Sequence, residues 1–159
     1  MVEIGEISLR TESSALYLKE VVSMVCENLR TIGCLVRELS SSADQKPHKV
    51  LALKTNLKVL RDLVSGCKVS TSAGNEVHVL EVLFGTPTAF LQAIDSEDRS
   101  LSWVLRVKNL VMVASRNVAI FLAKIDKEIA SLRKAAEHRP EATPRMALRK
   151  RFEECVVCA

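Results

Sequence analysis

The apolar positions of this 159-residue chain recur at steps of three and four over most of its length, the spacing that lines one side of an α-helix. Leu18, Val22, Val25, Leu29, Ile32, Val36 and Leu39 form the first such row. They predict a helix over residues 11–39, closed by Ser40, Ser41 and Ser42 ahead of Pro47. Val50, Leu53, Leu57, Leu60 and Val64 form the second row, over residues 48–65, with Lys49, Lys54, Lys58 and Arg61 off it and Gly66 as a natural stop. Residues 68–74 are small and polar and read as the longest loop. From Asn75, an N-cap candidate, a third helical stretch carries Val77, Leu80, Phe84, Leu91 and Ile94. Gly85 and Pro87 fall inside it, and proline both removes a helical hydrogen bond and clashes with the preceding turn, so this stretch is expected kinked or split in two.

After an acidic turn at residues 95–98, the longest helix is expected from residue 99 or 100 to about 138. Val104, Val107, Val111, Ala114, Val118, Phe121 and Ile125 keep the three-four rhythm, and Ile129, Leu132 and Ala136 extend it after one slip. Its other side is apolar as well, with Trp103, Leu110, Val113 and Ile120. That distribution predicts a central helix covered by neighbours around nearly its whole circumference. Pro140 and Pro144 then break the pattern, and residues 145–157 read as a short basic amphipathic helix. The fold expected is therefore all-α, an up-and-down bundle of four main helices over residues 1–139 with a short basic C-terminal extension over residues 140–159.

Composition supports one packed domain: 48% of residues are hydrophobic and 26% charged. Aromatics are only 4%, so the core must be built from aliphatic side chains, and five Gly with four Pro supply too little turn chemistry for a β-sandwich or barrel. Glu3 and Glu6 interrupt the N-terminal segment, which does not read as a secretory signal. Arg106, Lys108, Arg116 and Lys124 interrupt the most apolar stretch, which does not read as a membrane span. Five cysteines at irregular spacing fit reduced thiols, so a cytoplasmic location is expected.

Charge is uneven. Residues 99–151 hold 13 Lys or Arg against four Asp or Glu, a net of +9, while residues 1–98 net −3 and residues 152–159 net −2. Such a region can steer an acidic partner or an anionic membrane surface toward the protein, although charge runs most often serve only as solvated helix faces. Nucleic acid is an unlikely partner, since the basic residues are not interleaved with exposed aromatics and no nucleic-acid-binding signature is present. The basic surface is expected to include Arg145, Arg149, Lys150 and Arg151.

The chemistry-bearing residues form no catalytic pattern. Cys155 and Cys158 make a C-x-x-C, which is half of a zinc site with no second half and lacks the βαβ setting of a redox pair. His48, His78 and His138 lie in separate elements without a nucleophile or acid at catalytic spacing, and no phosphate-binding, dinucleotide-binding, zincin or nucleophile-elbow motif occurs. No catalytic residue, metal or cofactor is therefore expected, and the chain reads as a protein that is not an enzyme.

Trp103 and Arg106 stand in a W-x-x-R arrangement, and Phe121-Leu122-x-x-Ile125 follows as an F-L-x-x-I string. Ala147-Leu148-Arg149-Lys150 forms a third short match. Together these strings resemble signatures of the glycolipid transfer protein family, with the second displaced by one heptad. Where that family has His-Gly-Trp, this chain reads Arg151-Phe152-Glu153. The resemblance implies an all-α carrier of an amphipathic lipid, with Trp103 and Arg106 at the headgroup and Asp44 and His48 at the spacing of the family's headgroup Asp and Asn. Two functions are thus expected: a non-catalytic interaction module, of adaptor or scaffold type, with a protein partner and a basic surface, or binding and transfer of a sphingolipid or glycolipid in a pocket between helices.

Overall fold

The computed structural model describes residues 7–41 and 47–137. In chain order these form β1 (Ile7–Ser8), α1 (Glu12–Ser41), α2 (Pro47–Val64), β2 (Lys68–Thr71), β3 (Glu76–His78), α3 (Val79–Phe84), α4 (Thr88–Asp95) and α5 (Leu101–Glu137). The protein is predominantly all-α, a helical bundle with one small sheet.

The bundle is organised by α1 and α5, which lie antiparallel. Arg133 meets Glu12 at 2.6 Å near one end, and Lys19 meets Asp126 at 2.7 Å two turns further in. Between the helices the two three-four rows interlock: Val22, Val25, Leu29, Ile32 and Val36 of α1, and Val104, Val107, Ala114, Val118, Phe121 and Ile125 of α5, are all 3% exposed or less. Thr11 starts α1 by accepting the Ser14 N–H on its hydroxyl at 3.0 Å, which satisfies one of the donors that a helix start leaves unpaired.

α2 runs back along α1, held by Val50, Leu53, Leu57, Leu60 and Val64, by Lys49 to Glu38 at 2.6 Å, and by the Asn28 amide donating to the Asn56 carbonyl at 3.1 Å. The third helical stretch is divided as expected. Gly85 ends α3 at φ 71°, a conformation that favours glycine, and Pro87 precedes α4. Phe84 and Phe90 stack across this break with ring centroids 4.3 Å apart. The buried Asn117 of α5 donates to the Leu83 carbonyl at 2.7 Å, tying α3 to the central helix.

Two expectations are corrected. Residues 68–74 are not mainly loop, and Asn75 caps no helix: β2 and β3 form a hairpin, with Val69 opposite Val77, and β1 pairs with β2 through Ile7 opposite Thr71. Val69 and Thr71 face inward while Lys68 and Ser70 face water, the alternation of a half-buried strand, and Gly74 at φ 85° allows the reversal. The second correction concerns α5, whose circumference is not covered. Val113 is 44% exposed and Ile120 47%, because α3 and α4 are only six and eight residues long and reach one flank of a 37-residue helix. The expected seam residue Ala136 is exposed too.

Phe121 lies fully buried at the middle of this assembly. Phe121→Ala should destabilise the domain by about 3–5 kcal/mol. Val118→Asp, which buries an unpaired carboxylate, should leave it unfolded against a typical stability of about 5–15 kcal/mol. Circular dichroism melts check both, and a parent-like melt of either variant would refute the assignment of this helix face.

Candidate functional site

Trp103 enters the bundle near the N-terminal end of α5. Ser100 caps that helix, its carbonyl accepting the Val104 N–H at 3.1 Å and its hydroxyl facing the Trp103 N–H at 3.4 Å. The indole is 0% exposed, and its N–H donates to the Ala93 carbonyl of α4 at 3.0 Å. Trp103 therefore welds α4 to α5, with its ring faces covered by protein. A sugar could stack on it only if this end of the bundle opened.

Arg106, one turn further, points outward and is 59% exposed, with its guanidinium 3.3 Å from the Asp98 carboxylate. Ser100 holds the Asp98 carboxyl below the ordinary aspartate value, first through its backbone N–H and then through its hydroxyl, with Arg106 adding a smaller attraction. A lowered value means that the carboxylate is the favoured form in the folded protein. The capping interaction is thus complete above the ordinary aspartate range and is lost as pH falls through the depressed value. His48 is exposed in the first turn of α2. Asp44, Arg145, Arg149, Lys150 and Arg151, like His138, Cys155, Cys158 and the boundary at residues 139 and 140, lie outside the described residues. The structure thus brings Trp103 and Arg106 onto neighbouring turns but puts one inside the core and the other in solvent.

A different set of residues forms a concave feature. Near the C-terminal end of α1, Gly33, Val36 and Arg37 come opposite Lys108, Val111 and Met112 of α5, and an open cleft of about 430 Å³ lies between the helices. That volume falls within the range of roughly 300–1,000 Å³ usual for ligand sites. Val36 and Val111 give it an apolar floor, while Arg37 and Lys108 stand on its two shoulders. Ser40 and Ser41 also line it, but both hydroxyls already donate within α1, to the Val36 and Glu38 carbonyls. The cleft's uncommitted donors are therefore its cations, and neither Arg37 nor Lys108 has an ion-pair partner among the described residues.

This cleft was hidden in the sequence because Lys108 and Met112 sit beside the buried row of α5, where periodicity marks a position but not whether a neighbour covers it. One signal was legible. Gly33 interrupts an otherwise good helical segment, and glycine there is about 1 kcal/mol less favourable than alanine.

Among the described residues, no group of three or more His, Cys, Asp or Glu could hold a metal ion, and no helix is long and apolar enough to cross a membrane. Comparison with protein-family models, curated proteins and solved structures found no match.

The contrast between Trp103 and Arg106 can be measured. Trp103→Phe leaves the buried Ala93 carbonyl without its donor and should lower stability by about 1–3 kcal/mol. Arg106→Gln removes an exposed ion pair worth about 0–1 kcal/mol. Urea titrations followed by circular dichroism check the order, and in the parent protein the tryptophan should resist acrylamide quenching until unfolding. Ready quenching of the native state would contradict the buried placement.

Proposed function

We propose that this chain is a non-catalytic helical interaction module that works through the outer side of α5. The supporting observation is a row of apolar side chains left in solvent there: Leu101, Leu105, Met112, Val113 and Ile120, between 43% and 57% exposed. Single apolar residues on a surface are ordinary, but a run of them along one helix marks a contact surface. Arg106, Lys108 and Arg116 are interleaved with them and exposed, which suits a partner with acidic character and speeds its approach. Long antiparallel helices joined by one continuous core give the surface a rigid base, so a partner would not have to order it on binding.

A second reading, carriage of an amphipathic lipid, draws on the cleft between α1 and α5, whose apolar floor and cationic shoulders suit a chain with an anionic head. The resemblance to glycolipid transfer proteins belongs with this reading, although the buried Trp103 lends it no support.

The face-dependence of binding tests the first reading. A Leu105→Glu, Met112→Glu, Ile120→Glu triple variant should melt within a few degrees of the parent, since none of the three is a core residue, and should lose the proteins that crosslink to the parent in cells. A folded triple variant that keeps the same crosslinked set would overturn it. Native mass spectrometry addresses the second: a lipid carried through purification by the parent but not by the Gly33→Leu variant would favour lipid carriage, and bare protein throughout would set it aside.

A further inference from the structure

Gly33 stands inside the 30-residue α1, about two turns before its C-terminal end, at a backbone conformation that any residue can adopt. A Cβ built there would meet nothing within 4 Å. Neither backbone geometry nor tight packing therefore requires glycine, even though it weakens the helix. Its one structural consequence is space, because Gly33 lines the cleft.

The α5 wall of that cleft continues in both directions. Leu101, Leu105, Lys108 and Met112 follow one another at steps of four, three and four, and Ser115 and Ala119 prolong the row, all exposed. This is a second helical seam, parallel to the buried one and without a helix against it among the described residues, running for about 27 Å at 1.5 Å per residue. On the α1 side the exposed Arg30 and Arg37 lie one heptad apart, flanking Gly33. Among the described residues no Asp or Glu lines the cleft, and neighbouring Glu38 pairs with Lys49 of α2.

We propose that the groove between α1 and α5 receives an acidic amphipathic helix of a partner protein, which seats one large apolar side chain over Gly33 and sets carboxylates on Arg37 and Lys108. This rests on the interaction-module reading and names the partner's chemistry. The shape is that of helix-in-groove recognition, in which anchors repeat at three- and four-residue steps and match the repeat on the α5 wall. Carboxylates on the partner's flanks meet guanidinium and ammonium groups that have no ion-pair partner among the described residues.

Charge disfavours the other occupants. Residues 138–159 of this chain carry five Lys or Arg against three Glu, so they would bring like charge to the cleft, and residues 42–46 are neutral overall. A second copy related by a two-fold axis would set the same cationic shoulders against each other. A planar membrane surface would reach the rims but leave the floor over Gly33 unfilled.

The test uses the whole chain and two designed peptides of about 20 residues. One carries Leu at heptad a and d positions with Glu at the remaining charged sites, and its twin carries Lys in place of Glu. By fluorescence anisotropy the acidic peptide should bind at least about tenfold more tightly than the twin. The amide shifts it causes should map to residues 30–41 and 101–119. Gly33→Leu, whose Cβ enters open space and which favours the helix, should weaken binding about tenfold while raising the melting temperature. The Arg37→Glu, Lys108→Glu pair should reverse the preference toward the Lys peptide.

Equal binding of both peptides, shifts that map away from these segments, Gly33→Leu binding as well as the parent, a dimer closing over the cleft in sedimentation, or binding to phosphatidylserine vesicles in preference to the acidic peptide would each overturn the proposal. If the acidic peptide fails while the crosslinked partners still depend on the α5 face, the occupant's chemistry is wrong and the module reading survives. If that dependence is absent as well, both fall.

Discussion

The antiparallel contact between α1 and α5 is the constraint on which the rest of the molecule depends. Two helices of 30 and 37 residues share one apolar seam, and the ion pairs Glu12 to Arg133 and Lys19 to Asp126 lie along its edge. The seam supplies most of the stability, because exposed ion pairs contribute little while each fully buried Val, Ile, Leu or Phe contributes about 1.5–3 kcal/mol. The pairs help to set how the helices are aligned. That alignment brings Gly33 and Arg37 opposite Lys108 and Met112.

The shorter elements finish the ends of this pair. At the α5 N-terminal end, α4 is fastened by the indole hydrogen bond of Trp103, and the Phe84 and Phe90 stack holds the break around Pro87 in shape. Near the other end, β1 brings Ile7 into the core, and the Leu9 N–H lies 3.5 Å from the Glu128 carboxylate of α5. Neither group shields the middle of α5 on its outward side. The exposed apolar row is thus a consequence of element lengths: among the described residues, two longer helices, two short ones and a small sheet do not enclose a 37-residue rod.

That incompleteness is what points to function. The described residues hold a filled core, an exposed apolar helix face and a cleft with cationic shoulders, and these features suit binding. The indole of Trp103 is enclosed in the core, whereas the cations that line the cleft are Arg37 and Lys108.

How much of this was legible from residue order alone differs element by element. The helices over 12–41, 47–64 and 101–137 could be read to within a few residues, since a three-four row of Val, Leu and Ile is a local property that survives into any fold that buries it. The division at Gly85 and Pro87 was legible for the same reason, because proline acts on its own turn. The sheet was not, because pairing of residues 7–8 with 70–71 is a contact across some sixty positions, and four alternating residues in β2 are a weak signal by themselves. Nor was the cleft. Residue order determined which faces of α5 would gain from leaving water, Val118 and Val113 alike. Only the tertiary structure decided which of them has a neighbour to pack against, because burial needs a second surface at the right distance, and that surface is supplied by parts of the chain far away in sequence.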